Sequence, residues 1–401
     1  MKGEKKIIIL TDYHFPCTHP VLENVFAKEL GRKHEIIWLL QGDISKGKER
    51  RWFNSQVLLT RAFRENHWHK KIANRIWSWK RFFQTISLLN SGKDDIVLIR
   101  DMPSEAFLIS FLRYFFRFKL FYQHSAPLHK ISIAAFKVNK GPKRFWYLIQ
   151  GLSYGYFLGK VLKKADLVFT ISDFHKKELA YDIGGDKLVT LPMGVDEEWL
   201  ERDRSEIPGF KKIRENNFIL VYFGTLSFTR KPIFILKTFI EVKKRVLNCK
   251  LILIGKTSSF REEKELKSMC RRFTIEDDAI FTGQLDRNKL QDYLAYCDLS
   301  ISAIPPESHY KNSSPTKIYE SLGNGVPVIG NKEIYEQEKV ILESGGGLAV
   351  DYNIGSFCDG IIKLLGNQEL RKDMARKGKE YVKRNYSYQN IAKNIAPLFD
   401  S

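Results

Sequence analysis

No run of about 18 apolar residues, the length that crosses a bilayer, occurs in the sequence, so no spanning helix is expected. Acidic residues are also short. Lys and Arg number 66 against 46 Asp and Glu, a formal charge of +20, and such a surplus favours anionic partners: phosphates, nucleic acid or an acidic membrane surface. Cysteine is scarce and unpatterned. Cys17, Cys249, Cys270, Cys297 and Cys358 form no C-x-x-C pair, which argues against a disulfide framework or a zinc site and suits a reducing compartment. The N-terminus has neither a signal-peptide core nor a small-residue cleavage site, because the apolar run Ile7 to Leu10 is too short. Short-period repeats and low-complexity tracts are missing as well. Together these shortages predict a cytoplasmic globular protein, and 401 residues are too many for one hydrophobic core, so two domains are expected.

What is present is a repeated grammar. Short apolar runs at 6–10, 35–40, 95–100, 120–123, 167–171 and 188–191 alternate with segments such as 21–30, 104–116 and 145–164, whose apolar residues recur at three and four. The second half does the same, with strands at 218–223, 251–254, 279–282, 299–302 and 326–329 and helices at 234–247, 262–273, 357–365 and 369–384. Strands alternating with helices predict an α/β fold with parallel sheets covered on both faces. The charged segment 196–216, which contains Pro208 and Gly209, reads as a linker. The predicted organisation is a first domain at 1–196, a linker at 197–216, a second domain at 217–378 and a closing helix at 379–401.

Chemistry concentrates in the second half. Ser314 followed by Pro315 reads as a helix opening, with Ser314 as cap and Pro315 in the first turn. The free amides around Ser314, Pro315 and Thr316 would bind phosphate, Lys317 adds a full charge, and Glu320, one turn on, can accept hydrogen bonds from a vicinal diol. Taken alone, the same stretch is equally an ordinary capped surface helix; its place after a strand tip favours a ligand. Upstream, the strand ending at Gly224 leads through Thr225 to two adjacent cations, Arg230 and Lys231, which can neutralise a diphosphate. Two more strand tips carry glycine, Gly255 and Gly283, as if a ligand lay across the domain's edge.

In order, Gly224, Leu226 and Ser227, Arg230 and Lys231, Gly255, Gly283, Pro315-x-Lys317-x-x-Glu320 and Gly325-Val-Pro-Val resemble the family-4 retaining glycosyltransferases (glycosyl transferases group 1). The stretches from Ala165 to Ser172 and from Leu191 to Asp196, and the tail Tyr386-Ser-Tyr388, agree with that family. The resemblance implies the GT-B architecture: two Rossmann-like domains with parallel sheets facing across a cleft, the last helix crossing back to the first. It also implies a nucleotide-sugar donor, UDP- or GDP-linked, held by the second domain, with no cofactor and no obligatory metal. Carried over by residue, Glu320 would hold the donor ribose, while Lys231 and Arg230, with Lys231 ranked first, would contact the diphosphate beside Ser314, Thr316 and Lys317. Backbone at Gly283, Gln284 and Leu285 would meet the base. His124 matches a position near the reacting sugar, and Asp12, Arg100 and Asp101 fall on the acceptor side. Two positions depart from the family: Asn312 where many members have a first glutamate, and Thr225 where many have arginine.

Between residues 50 and 83 lie nine Lys or Arg and one acidic residue, together with Trp52, Trp68, Trp77 and Trp79. Aromatic and cationic residues mix again at 111–118 and 143–147. Such interleaving suits a membrane interface, although for any single helix aromatics in the core and solvated cations explain it better; its concentration in the first domain is what favours the membrane. The expectation is a peripheral enzyme on the inner face of the cell membrane, transferring sugar to a lipid-linked or polysaccharide acceptor in cell-envelope glycan biosynthesis. Two alternatives are a nucleotide-sugar epimerase or hydrolase of the same fold and a nucleic-acid-binding protein. The last leaves the second-half motifs unexplained and has no RNA-binding signature, so no nucleic-acid partner is expected.

Overall fold

Ile7 to Leu10 have almost no exposed surface, which requires a strand covered on both faces. They lie in β1 (Lys6–His14) of a computed structural model that describes residues 5–45, 47–61, 80–89 and 95–400. Around β1 are arranged β2 (Glu35–Gly42), β3 (Glu49–Trp52), β4 (Ser55–Arg61), β5 (Asp95–Arg100), β6 (Phe118–His124), β7 (Leu167–Thr170) and β8 (Leu188–Thr190). The sheet order is β3-β4-β2-β1-β5-β6-β7-β8, parallel throughout except for the antiparallel pair β3 and β4. Strands leave β1 in both directions, so the order reverses between β1 and β5. Ligands of such sheets bind at that reversal, beyond the carboxyl ends of the strands.

A second sheet holds β9 (Phe218–Phe223), β10 (Cys249–Ile254), β11 (Ala279–Gly283), β12 (Leu299–Ser302), β13 (Val328–Asn331) and β14 (Gly347–Val350). Its order is β11-β10-β9-β12-β13-β14, and every pair is parallel. Counted within its own unit this is 3-2-1-4-5-6, the Rossmann order, with its reversal between β9 and β12. Helices Pro232–Lys243 and Ile354–Leu365 cover one face through Phe239, Phe357 and Ile361, all fully buried.

The chain separates into two compact units, Met1–Pro192 with Ile391–Ser401, and Met193–Asn390. The segment expected as a linker forms helices Glu197–Glu201 and Phe210–Asn216, and the burial of Trp199, Leu200 and Phe210 fixes it within the second unit. Helix Gln368–Asn385 also stays in the second unit, where Gly378 lets it approach Leu322 and Gly346. The return to the first unit begins at Ile391 rather than at residue 379. The strands β3, β4 and β14 have no counterpart among the predicted ones. In the hairpin β3–β4, Trp52 packs on Trp38 with ring centroids 4.9 Å apart, so this tryptophan is core. Trp68, Trp77 and Trp79 lie outside the described residues.

Phe399 anchors the returning tail. It is fully buried, stacks parallel to Phe169 at 6.1 Å and meets Phe121 at 5.3 Å and Phe26 at 6.2 Å. Phe399→Ala is expected to lower stability by about 3–5 kcal/mol, the usual cost of emptying an aromatic site, measured by denaturant unfolding. A loss below about 1 kcal/mol would mean that the tail is not part of that core.

Candidate functional site

The carboxyl ends of β9, β10 and β11 are drawn together through glycines. Gly224 and Gly255, each the first residue past its strand, have φ of +124° and +146°. A Cβ on Gly255 would stand 1.8 Å from the carbonyl oxygen of Gly224, so the close approach demands glycine there. The Gly224 N–H donates to Ile254 O at 2.9 Å and the Gly255 N–H to Gly283 O at 2.8 Å, tying the three tips together. Over them opens a cavity of about 490 Å³, with walls that include Gly224, Thr225, Gln284, Leu285, Thr316, Lys317 and Glu320.

The helix Thr316–Gly323 brings the last three of these residues. It starts one residue later than the sequence implied. Pro315 is the residue before the helix, in extended conformation (ψ 115°), with no side-chain cap. The assignment of Ser314 as cap is therefore corrected. Its buried hydroxyl accepts from the Met193 N–H at 3.2 Å and shares a hydrogen bond with the Tyr319 hydroxyl at 2.8 Å, a structural role behind the cavity. No side chain caps the first turn, where the Ile318 N–H donates to Pro315 O at 3.2 Å, and the dipole adds positive potential at this wall.

Lys317 places its ammonium 4.2 Å from the centroid of the Tyr222 ring. Burial, then the charge of Arg230, lowers its pKa to about 7, with Glu320 opposing. Glu320 is the complementary case. Burial raises its carboxyl above the usual range, while Arg287 and Lys317 pull it back. Arg287 is paired with Asp196 and lies over the Trp199 ring at 5.0 Å. An anionic ligand with a diol would complete both groups, because it supplies negative charge to Lys317 and hydroxyl donors to Glu320.

The two adjacent cations part company. Lys231, in the left-handed conformation at φ +50°, reaches Glu307 at 3.1 Å, whereas Arg230 lies over the Tyr310 ring at 4.2 Å. Neither lines the cavity, but Arg230 is the cation whose charge is felt at Lys317 and Tyr222. Pro315 and Gly283 are likewise outside the walls. Sequence reasoning overlooked Lys256, Thr257 and Leu290 as wall residues, although the glycine at the tip of β10 had marked the place. Arg287 carried no sequence signal, and Asp196 was marked only as the end of a family-like stretch; their pairing spans 91 positions.

In the first unit, His124 ends β6 almost completely buried, with Nδ1 3.8 Å from an oxygen of Asp101. Burial raises the Asp101 carboxyl, but His124, Arg100 and Ser125 together outweigh it and hold the carboxyl below the ordinary range. His175 lies 4.8 Å from His124 between ring centroids. Burial and the proximity of His124 push His175 down to about 3 and His129 to about 4, so both are neutral at pH 7. Arg100 lies between two partners, its Nε 3.6 Å from Asp101 and its guanidinium also 2.8 Å from His19 Nε2. Asp12 is held by the buried Arg81 at 2.6 Å, so Arg81 of the basic stretch is a structural cation. Asp12 and Asp101 line a second cavity of about 330 Å³; Arg100 and His124 do not.

Comparison with known proteins follows the same lines. Residues 203–381 match the family model described as glycosyl transferases group 1. An uncharacterized glycosyltransferase of Methanocaldococcus jannaschii, MJ1069, is 27% identical over 415 residues, covering 98% of each chain. Among solved structures, Anabaena Alr3699/HepE in complex with UDP and glucose superposes with a TM-score of 0.70 at 15% identity, over 99% of this chain and 100% of that one. WaaG, a glycosyltransferase involved in lipopolysaccharide biosynthesis, gives 0.67 at 12% identity, over 98% and 99%. The two parallel-sheet α/β units are those of the GT-B fold.

Proposed function

We propose, from the match of residues 203–381 to the model of glycosyl transferases group 1, that the protein is a retaining glycosyltransferase that uses a UDP-sugar without a metal. The observation that carries this reading is the cavity at the β9, β10 and β11 tips, closed by an uncapped helix start with Lys317 and Glu320. Glu320 holds the ribose diol, and backbone at Gln284 and Leu285 meets the base. Lys317, Arg230 and the first-turn amides stabilise the leaving diphosphate; Arg230 takes precedence over Lys231, which is engaged with Glu307. The acceptor oxygen bonds the anomeric carbon on the face from which the diphosphate departs. The breaking C–O bond leaves its electron pair on the diphosphate oxygen, which takes the acceptor's proton. His124, beside Asp101 in the first unit, is assigned to the sugar-transfer step on the family resemblance alone. Such charge stabilisation and positioning needs no carboxylate nucleophile. UDP in the Anabaena complex supports uridine, and the cationic aromatic first unit supports a lipid-linked acceptor of the cell envelope, met at the inner membrane surface. Among the described residues no helix is long and apolar enough to cross a membrane.

A thermal-shift series with UDP and GDP is the direct test, since a ligand of the folded state stabilises in proportion to the logarithm of its concentration. UDP is expected to raise Tm well above GDP; no shift with either would remove the donor site. Incubation of radiolabelled UDP-sugars with membrane extract then separates transfer into organic-extractable material from epimerised or hydrolysed free sugar.

Lys317 also sets a pH dependence. Near pH 7 the empty pocket is already releasing the proton that a bound diphosphate requires. Affinity for UDP is therefore expected to fall as pH rises from 7 to 9, by up to about tenfold per unit, with proton uptake seen in buffers of different ionisation enthalpy. Lys317→Met should bind more weakly and without the slope. An identical slope in that variant would assign it to another group.

A further inference from the structure

The cavity of about 330 Å³ in the first unit opens at the carboxyl ends of β1 and β5, where the strand order reverses. Its polar wall holds three carboxylates, Asp12, Asp101 and Glu105, with Ser104, Gln150 and Ser153, and among the described residues no Lys or Arg lines it. In a chain of charge +20 this is a local inversion. The cations that partner Asp12 and Asp101, Arg81 and Arg100, are buried behind them. A phosphate or carboxylate entering here would meet like charge, whereas sugar hydroxyls would find acceptors. The opposite wall is apolar, built from Ile131, Trp146, Ile149 and Phe157 of helices Leu128–Val138 and Lys143–Lys164.

That wall continues onto the surface. Phe145, Ile149, Leu152 and Tyr156, at spacings of four, three and four along one helix, are between 54% and 63% exposed. The cavity-lining Trp146, Gln150, Ser153 and Phe157 are each one residue further on, about 100° around the helix. The exposed apolar stripe therefore borders the cavity. Its charge is as one-sided as its hydropathy: residues 106–165 contain eleven Lys or Arg and no Asp or Glu. Arg144 lies over the Phe145 ring at 5.1 Å and Lys160 over Tyr156 at 5.6 Å, which places cations beside the apolar rings, the combination that anionic leaflets bind.

We infer that this cavity takes the uncharged sugar headgroup of a membrane glycolipid, presented while the stripe on helix Lys143–Lys164 rests on an anionic leaflet. The inference deepens the acceptor side of the proposed transfer and rests on it. The lipid chain runs along the apolar wall, the sugar hydroxyls face the carboxylates, and any phosphate of the lipid stays outside among the lysines.

Two measurements on the full chain test it. In flotation, the protein is expected to rise with phosphatidylglycerol-containing vesicles and not with pure phosphatidylcholine. A Phe145→Glu/Leu152→Glu variant, altered only at exposed positions outside the cavity wall, should lose at least tenfold in vesicle binding while its UDP-induced Tm shift is unchanged. By calorimetry, octyl glucoside below its micelle concentration should bind at least tenfold tighter than methyl glucoside or octyl phosphate, and Glu105→Lys should narrow the margin over octyl phosphate. Wild-type flotation by the double variant, equal binding of methyl glucoside, or preference for octyl phosphate would each overturn the inference. A missing UDP shift, by contrast, would count against the donor site in the second unit and leave these results standing.

Discussion

Glu320→Ala is expected to lower kcat/KM by about a hundredfold to ten-thousandfold while leaving the fold intact. The size follows from the lost contacts. Two hydrogen bonds from a ribose diol to an ionised carboxylate, at about 1.5–3 kcal/mol each, sum to about 3–6 kcal/mol, and about 1.4 kcal/mol is tenfold. The fold is spared because the residue's structural work is done by its backbone, whose carbonyl accepts from Trp199 Nε1 at 3.0 Å. The side chain is a burden to the empty protein, since burial already raises its pKa. Alanine should therefore leave Tm unchanged or slightly higher, and Glu320→Gln, which keeps the shape and one acceptor, should fall between. Initial rates with a UDP-sugar and a membrane acceptor, alongside Tm, check both halves. Near-normal rates in the alanine variant would move the donor ribose elsewhere.

The largest effect on stability is expected from a single methyl group. In Gly255→Ala the new carbon would lie 1.8 Å from the Gly224 carbonyl oxygen, and φ of +146° is one that alanine resists. No flexible side chain can yield there, because the obstacle is backbone. The tips of β9 and β10 must separate, at about 4 kcal/mol or more, and the cavity floor parts with them. UDP binding should vanish together with the drop in Tm. Gly283→Ala is the control: φ is +71° but nothing lies within 4 Å of its Cβ, so only the left-handed strain of about 1–2 kcal/mol remains. Equal losses in the two variants would show that β9 and β10 do not touch at their tips.

Much of this fold is legible in the sequence because central parallel strands are buried on both faces. β1, β5 and β9 carry unbroken apolar runs, and their partners set the two Rossmann orders. The hairpin β3–β4 was hidden for the opposite reason. Glu49, Arg50 and Arg51 precede Trp52 on an edge strand, and charged edges look like loops. At the site, the glycine tips and the Lys317 and Glu320 pair were legible, since one helix turn carries both. Ser314 was not: the best-known role for serine before a helix is capping, and here Met193, 121 positions away, claims the hydroxyl. Arg230 and Lys231 could exchange roles in sequence, with Lys231 ranked first; the left-handed backbone at Lys231, its ion pair with Glu307 and the stacking of Arg230 on Tyr310 divide them. Arg81 was counted with a solvated or lipid-facing charge run, yet it is buried against Asp12, a partner 69 residues away. Spacing along the chain cannot reveal such pairs.

The return of residues 391–401 to the first unit bears on how the protein is made. A ribosome delivers the first 192 residues long before residue 399, so the nascent first unit waits with Phe26, Phe121 and Phe169 lacking the ring that completes them. The second unit, contiguous from Met193 to Asn390, can finish folding as it emerges. The half that is translated first is thus the half whose core is completed last.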